Sequence, residues 1–183
     1  MEEQLLLDGS GAIPIKAKHR WRQSWRFPRY IEAWFKEFCD YGYSLNVCCG
    51  RSNIGDVRID LDPNSTATII APYHKLPLED CIFDRVMSDP PWHIPFFHRM
   101  WPFYELVRVC KVGGLIAYNA TWIPHSKAAS LMNLFVRQDT DFGMASIVSV
   151  FQKYTNRFDK KSGSLTFTED EEDPSQKTLE AFD

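Results

Sequence analysis

A rigid turn that carries an acid and an indole is the strongest candidate in this sequence for a chemically active site. The chain reads SDPPW at residues 88–92. Asp89 and Trp92 flank two prolines, which end any strand or helix because proline fixes φ and has no N–H to donate. A carboxylate accepts hydrogen bonds, and an indole packs its face on flat rings. The simpler alternative is a turn that ends a strand and is followed by a packed tryptophan.

Short apolar runs predict the elements that hold this turn in place. Five of them are typical of buried strands: SLNVCC, DVRIDLD, ATIIA, FDRVMS and GGLIAYNA. A later run, ASIVSVFQKY, predicts another strand, with GSLTFTED as its antiparallel partner. Helical spacing predicts helices over PRYIEAWFKEFCDYG and SKAASLMNLFVRQ. Continuous apolar strands favour a sheet covered on both faces, which is the α/β layout.

The connections between the first three predicted strands are short. Residues 50–56 separate the first two strands, and PNSTAT separates the second from the third. A parallel crossover usually needs a dozen or more residues, so neither connection has room for a helix. We therefore expect one face of the sheet to be poorly covered by its own crossover helices. The N-terminal helix or a second subunit, either another copy or a different partner, would cover that face.

Composition restricts the class of protein. The 183 residues are 44% hydrophobic and 25% charged, which is typical of one soluble domain. No apolar run approaches the roughly 18 residues of a membrane span, and the chain does not begin like a signal peptide. The five cysteines lack CxxC spacing, which argues against a disulfide framework or a metal site and favours the reducing cytoplasm.

Charge and pattern divide the chain into three predicted parts. Residues 1–42 form a basic, aromatic-rich segment that ends in a helix. Residues 43–168 form the core. Residues 169–183 form a flexible tail that opens with the acidic run EDEED.

The apolar runs and the DPPW turn together resemble a known family. The order and spacing of LNVCCGRSNIG, VRIDLD, IIAPYHKLPLED, FDRVMSDPPW and RVCKVGGLIAYNATW are similar to those of the Rossmann-like S-adenosylmethionine-dependent methyltransferases. The resemblance covers roughly residues 45–154. It implies a class I methyltransferase sheet that is mostly parallel, with an antiparallel last strand and shortened early crossovers. It also implies S-adenosylmethionine as the cofactor.

The DPPW turn itself resembles the fourth motif of the amino-methyltransferases, which methylate exocyclic nitrogens of nucleic-acid bases. By this resemblance, Asp89 and the Pro90 carbonyl each accept one N–H of the target amine, and the lone pair of the nitrogen is aimed at the methyl donor. Pro91 keeps the turn rigid, and Trp92 stacks on a base removed from its helix. This is catalysis by orientation and electrostatics. Aspartate at the first position favours adenine N6.

The resemblance also implies a set of cofactor-binding residues at the carboxyl ends of the strands, where open α/β sheets bind their ligands. Gly50 lets the backbone approach the ligand closely. Asp60 at the end of the second strand, with Asp62 as the second choice, accepts the ribose hydroxyls; the simpler alternative for this pair is a solvated turn. Asn46 occupies the position where relatives carry an acid in the strand, and Cys48 occupies the position of a glycine in the loop. Asp89 belongs to this set as well as to the catalytic one.

One position departs from the family in the adenine-binding region. Many relatives place an acid after the third strand to hold the adenine amine, and the matching residue here is Pro72. The backbone or the ring of Tyr73 would substitute for it. This departure keeps a second interpretation open, in which the chain is a catalytically weak or inactive methyltransferase-fold subunit that binds nucleic acid or a partner protein.

Further candidates would contact the substrate, which we expect to be DNA or RNA. His93 follows the turn, and Trp122 follows the fifth strand, where it would wall the base pocket. Arg20, Arg22 and Arg26 lie among aromatic residues and would grip phosphates. Each has a simpler alternative: a capping or surface histidine, a packed tryptophan, and solvated arginines on a helix.

Overall fold

The computed structural model describes residues 29–137 and 145–156, with side chains from residue 31 onward. The described part contains two α-helices, one short 3-10 helix and seven strands. In chain order these are α1 (Arg29–Cys39), β1 (Ser44–Val47), β2 (Val57–Asp60), β3 (Ile69–Ile70), β4 (Phe83–Ser88), the 3-10 helix (Phe96–His98), α2 (Trp101–Val109), β5 (Cys110–Ala120), β6 (Ala129–Arg137) and β7 (Ser146–Lys153).

All seven strands form one sheet in the order β3-β2-β1-β4-β5-β7-β6. The first five strands pair in parallel, so that their carboxyl ends meet at one edge. β7 lies between β5 and β6 and is antiparallel to both. The predicted α/β fold, with a mostly parallel sheet and an antiparallel last strand, is therefore confirmed.

The early crossovers are as short as the sequence indicates. Residues 48–56 join β1 to β2, and residues 61–68 join β2 to β3, without a helix in either connection. The N-terminal helix covers part of the face that this leaves open. Phe35 and Phe38 of α1 pack with Met87, Ala117 and Val148 of the sheet, so the prediction that α1 covers one face is confirmed.

The opposite face carries the larger core. Phe103, Leu106 and Val107 of α2 pack on Val86 of β4 and Ile116 of β5, and all five side chains are fully buried. Pro102 in the first turn of α2 suits a helix start, where its missing N–H has no intrahelical partner to lose. This layer anchors the segment between the DPPW turn and β5 against the sheet.

The prediction of a helix over SKAASLMNLFVRQ is wrong. Residues 129–137 form strand β6, which pairs antiparallel with β7 from Ala129↔Lys153 to Arg137↔Ser146. Alanine, leucine and methionine favour a helix locally, and the spacing of the apolar residues fits either period. Pairing with β7 decides the outcome because strand formation depends on tertiary context. The other predicted partner of β7, GSLTFTED, lies outside the described residues.

Gly113 and Gly114 lie inside β5. Gly113 has φ +84, and the register with β4 shifts between Phe83 and Arg85. A Cβ on Gly114 would lie 2.7 Å from Cys110 Sγ and 3.0 Å from the Asp84 carbonyl oxygen. The glycine pair therefore forms a bulge that brings β5 against β4.

None of the described helices has the length and apolar character needed to cross a membrane. The predicted domain boundaries at 42/43 and 168/169 stay predictions.

Candidate active site

The carboxyl edge of the sheet brings together the ends of β1, β2, β4 and β5. The loop after β1 contains Cys48 and Gly50, β2 ends in Asp60, and Asp89 directly follows β4. Asn119 lies at the end of β5. Residues from four segments of the chain thus meet at one edge, as expected for parallel strands.

Asp89 is held by two side chains that donate to the same oxygen. Asn119 Nδ2 lies 2.9 Å from Asp89 Oδ1, and Trp92 Nε1 lies 3.3 Å from it. Within residues 29–137 and 145–156, no group donates a hydrogen bond to Asp89 Oδ2. The carboxylate is therefore fixed through one oxygen, and the other remains able to accept a hydrogen bond from a ligand.

Burial gives Asp89 an unusual titration. Removal from water raises the pKa of this carboxyl from 3.8 to about 6. The positive charge of Arg137 and the hydrogen bonds from Asn119 and Trp92 favour the ionised form and partly oppose this rise. At neutral pH the carboxylate is ionised, but it is a stronger proton acceptor than an ordinary aspartate. A carboxyl group whose pKa is raised in this way is typical of a functional site.

The diproline turn places Trp92 beside the carboxylate. Pro90 is buried, and the Pro91 carbonyl accepts a hydrogen bond from the Ile94 N–H at 3.4 Å. Trp92 is half-buried, and its ring nitrogen is turned to Asp89. Within the described residues no backbone N–H donates to the Pro90 carbonyl. The turn thus offers two oxygen acceptors beside an indole.

The loop after β1 is braced by Asp60. The Gly50 N–H donates to Asp60 Oδ2 at 2.7 Å, and the Asp62 N–H donates to Asp60 Oδ1 at 2.9 Å. A carboxylate has about four lone-pair sites, so each oxygen can still accept a further hydrogen bond. Asp60 is half-buried at the sheet edge. Asp60 therefore holds the loop through these two hydrogen bonds.

Asn46 has a different environment from Gly50 and Asp60. Its side chain is buried on β1, and Nδ2 donates to the Ile54 carbonyl at 3.1 Å. Gly55 packs against it, since a Cβ at Gly55 would lie 3.2 Å from the Asn46 Cβ. The structure therefore ties Asn46 to the far end of the loop.

Cys48 adopts a left-handed backbone conformation with φ +60, which L side chains rarely adopt. Burial is the main cause that raises the pKa of its thiol well above the usual range, and the charges of Asp60 and Asp89 add to this. The thiol is therefore neutral, and it lies near both carboxylates. A strained residue at this position is consistent with a functional loop.

We expect the usual order of alanine and glycine to reverse at Cys48. In regular structure glycine is less stable than alanine by roughly 0.5–1 kcal/mol, but a left-handed residue with a side chain costs roughly 1–2 kcal/mol. Cys48→Gly should therefore have a higher free energy of unfolding in urea than Cys48→Ala. A lower value for the glycine variant would contradict the backbone conformation described here.

Tyr118 is the largest buried polar side chain at this edge. It is fully buried at the end of β5, and within the described residues its hydroxyl has no hydrogen-bond partner. Burial chiefly raises its pKa well above the usual range, and Cys48, Tyr73 and Asp89 contribute in the same direction. Cys48 and Tyr73 also pack against the hydrophobic cluster that contains Tyr118. Within the described residues this hydroxyl is an unpaired buried polar group.

Trp122 lies beside this cluster. Its ring is 6.2 Å from the Tyr118 ring, and the Arg99 guanidinium lies over it at 4.8 Å from the ring centre. Trp122 is half-buried, which leaves part of the indole accessible. His93, by contrast, is exposed.

The sequence did not single out Asn119, Tyr118, Arg99 or Arg137. Asn119 and Tyr118 belong to the apolar run GGLIAYNA, and a polar pair at the end of a buried strand is the signal that indicates them. The predicted phosphate-gripping residues Arg20, Arg22 and Arg26 lie outside the described residues. In the described part of the chain, no group of three or more His, Cys, Asp or Glu residues is placed to hold a metal ion.

An open groove lies at the other edge of the sheet. Its volume is about 300 Å³, and it is lined by Trp34, Glu37, Phe38, Tyr41, Arg85 and Leu115. The guanidinium of Arg85 lies over the rings of Phe38 and Tyr41 at 5.8 and 5.9 Å. Because this groove lies at the amino end of β4, it is separate from the carboxyl edge and from Asp89.

Solved structures match this fold, whereas no protein-family model and no curated protein sequence matches the chain. The N-methyltransferase NodS from Bradyrhizobium japonicum aligns with 69% of this chain and 96% of its own, at 10% identity and a TM-score of 0.52. The 1,6-didemethyltoxoflavin-N1-methyltransferase from Burkholderia thailandensis, solved with 1,6-didemethyltoxoflavin and S-adenosylhomocysteine bound, aligns with 69% of this chain and 78% of its own. Its identity is 10% and its TM-score is 0.53.

A third match has a different activity in its name. The cyclase SpnF aligns with 68% of this chain and 80% of its own, at 9% identity and a TM-score of 0.53. At these identities the similarity shows the fold, which is the Rossmann-like fold of class I methyltransferases. Since one fold hosts several activities, the function must be argued from the site.

Proposed function

We propose that this chain is an S-adenosylmethionine-dependent methyltransferase that methylates an exocyclic amino nitrogen of a nucleic-acid base, with adenine N6 favoured. The observation that carries the proposal is the Asp89 carboxylate. Asn119 and Trp92 hold its Oδ1, and Oδ2 remains able to accept an N–H from an amino group. The Pro90 carbonyl is a second acceptor on the same rigid turn.

The residues at the carboxyl edge fit the cofactor. Asp60 keeps lone pairs for the two ribose hydroxyls while it braces Gly50. Gly50 and Cys48 form a left-handed loop next to it, and the buried Tyr118 hydroxyl supplies an unpaired polar group. We assign to Asn46 the positioning of this loop. When bound, S-adenosylmethionine supplies an electrophilic methyl group.

The chain's own residues would orient the amine and receive its proton. In an aromatic base the lone pair of an amino nitrogen is delocalised into the ring. Two acceptors, Asp89 Oδ2 and the Pro90 carbonyl, hold the two N–H bonds and favour a more tetrahedral nitrogen. In the net reaction the N–CH₃ bond would form as the S–CH₃ bond of the sulfonium breaks, the thioether product would leave, and the nitrogen would lose one amino proton. Asp89, whose pKa is about 6, is a base on this turn that can take the proton.

An aromatic surface next to the turn supports a nucleic-acid substrate. Phe96 and Phe97 of the 3-10 helix are 73% and 84% exposed. The Arg99 guanidinium lies 5.8 Å from the Phe96 ring centre and 4.8 Å from that of Trp122, so it links the exposed rings to the site. Exposed rings beside a cation are the usual means of binding unpaired bases.

We expect the double variant Phe96→Ser/Phe97→Ser to bind a fluorescent single-stranded oligonucleotide about tenfold or more weakly in an anisotropy titration. Stacking contributes roughly 1–3 kcal/mol per base, and about 1.4 kcal/mol is a tenfold change in affinity. Tyr41→Ser is a matched control, since Tyr41 is 63% exposed at the opposite edge of the sheet. Equal affinities of the double variant and the wild type would show that these rings do not bind the strand.

Transfer of a labelled methyl group tests the activity itself. The purified protein is incubated with labelled S-adenosylmethionine and, separately, with DNA, RNA and protein pools. We expect label in a nucleic-acid pool with the wild type and a loss of that label with Asp89→Asn. Label in the protein pool alone, or equal label with the variant, would contradict the proposal.

A non-catalytic subunit is the second candidate, and Pro72 favours it. Pro72 offers no side-chain acceptor for the adenine amine, and Asn46 is tied to Ile54. Calorimetry with S-adenosylmethionine separates the two candidates. Heat of binding supports the enzyme, and its absence in the full-length protein supports the subunit.

A further inference from the structure

A row of polar side chains crosses the sheet at its carboxyl edge, on the face that α1 covers. Directly paired residues of antiparallel strands point to the same face, so Arg137 shares a face with Ser146, and Asn119 shares one with Val148. Ser146 and Val148 lie two apart on β7 and therefore also point to one face. Asp89 reaches this face through its hydrogen bond from Asn119.

Arg137 stands at the end of this row with its side chain largely buried. It is 7% exposed at the last residue of β6. Burying a cation is costly unless other groups compensate the charge. Ser146 of β7, which pairs directly with Arg137, presents a small buried side chain on this face. The positive charge of Arg137 favours the ionised form of Asp89 and so lowers its pKa.

We propose that Arg137 is a positioning residue that keeps the Asp89 carboxylate ionised so that it can accept the substrate amine. This inference rests on the proposed function for its catalytic consequence, because only the ionised carboxylate can accept both the amino hydrogen bond and the proton. The effect on the charge state of Asp89 is a property of the folded protein and does not depend on any substrate.

The other groups near Asp89 carry no positive charge that would favour its ionised form. Asn119 of β5 and Trp92 of the turn are neutral donors. Cys48 of the β1 loop and Tyr118 of β5 are held neutral by burial, which raises the pKa of each well above its usual range. The positive charge of Arg99 lowers the pKa of Tyr118. Among the described residues, Arg137 is the cation whose charge lowers the pKa of Asp89.

The test is the titration of the Asp89 carboxyl carbon by NMR in protein labelled with ¹³C-aspartate, in which Asp89→Asn identifies the resonance. In Arg137→Gln we expect the pKa of Asp89 to rise by roughly one unit, since a nearby opposite charge lowers a carboxyl pKa by about 1–3 units. Arg137→Lys keeps the positive charge, so the pKa of Asp89 in this variant should be close to that in the wild type. Arg85→Gln, at the amino end of β4, is the matched arginine control and should leave the titration unchanged.

The pH–rate profile provides the second measurement. The acid limb of methyl transfer should move to higher pH in Arg137→Gln and by the same amount as the NMR titration, while Arg137→Lys restores it. An unmoved titration in folded Arg137→Gln would overturn the inference. A rise of roughly one unit in the pKa of Asp89 in Arg137→Lys would also overturn it, since lysine keeps the positive charge. This second test remains valid if Arg137→Gln does not fold. If the titration moves as expected but the wild type transfers no methyl group, the proposed function fails and the assignment of Arg137 to the charge state of Asp89 stands.

Discussion

Replacing Asp89 by asparagine should lower the rate of methyl transfer at saturating substrate by about 10²–10³-fold, the loss typical of one preorganised polar group at a reacting centre. The amide oxygen introduced by Asp89→Asn can still accept from Asn119 and Trp92. Its second group is an NH₂, which cannot accept an N–H from the substrate amine or take up its proton. The rate constant is measured in single-turnover experiments with labelled cofactor.

The same substitution should make the fold more stable at neutral pH. The pKa of the native carboxyl is about 6, above the unfolded value of 3.8. Between pH 3.8 and about 6 the native state binds more protons than the unfolded state, so the free energy of unfolding falls as the pH rises. Above about pH 6 the full destabilisation by the ionised carboxylate is present. Removing the ionised group should therefore raise the free energy of unfolding by on the order of 1 kcal/mol.

Two outcomes distinguish this account from a structural role for Asp89. If Asp89→Asn loses activity because it unfolds, its melting temperature falls. If Asp89 instead holds the cofactor, the dissociation constant for S-adenosylmethionine rises. We expect neither change, and Asp62→Asn is the matched control because Asp62 is an exposed acid in a nearby turn, where Oδ1 accepts from the Asn64 N–H.

Replacing Asp60 by asparagine should have the opposite kinetic signature. We expect the dissociation constant for S-adenosylmethionine to rise by about 10–100-fold, since hydrogen bonds to a charged group contribute roughly 1.5–3 kcal/mol. The turnover rate at saturating cofactor should change little, because Asp60 does not touch the amine. The amide group also places a donor against the N–H of Gly50 or Asp62, which loosens the loop.

Calorimetry and saturation kinetics measure these two effects separately. Asp62→Asn should bind the cofactor as the wild type does. An unchanged dissociation constant in Asp60→Asn would place the ribose elsewhere on the sheet edge and would remove Asp60 from the cofactor site.

The sequence predicts the parts of this site that are encoded locally. The rigidity of the DPPW turn follows from its two prolines, and the position of Asp60 follows from the end of an apolar strand. Both need no knowledge of distant contacts. The order of the first five strands along the chain likewise follows from apolar runs between short connections.

The remaining features depend on contacts that join distant segments. Arg137 reaches the carboxyl edge because β6 pairs with β7, and a sequence with helical propensity gives no sign of that pairing. The hydrogen bond from Asn119 to Asp89 joins residues 30 positions apart. The positive φ of Cys48 is imposed by the loop after β1. From its residue type alone, a cysteine is expected to have a negative φ.

The position of the new methyl group on the base tests the central claim most directly. Nucleic acid treated with the protein and deuterated-methyl S-adenosylmethionine is digested to nucleosides, and the labelled product is identified by mass spectrometry against standards. The site offers two acceptors for an amino group, so we predict the label on an exocyclic nitrogen, N6 of adenine above all. A label on a ring nitrogen, a carbon or a ribose oxygen would contradict the assignment of Asp89 and the Pro90 carbonyl.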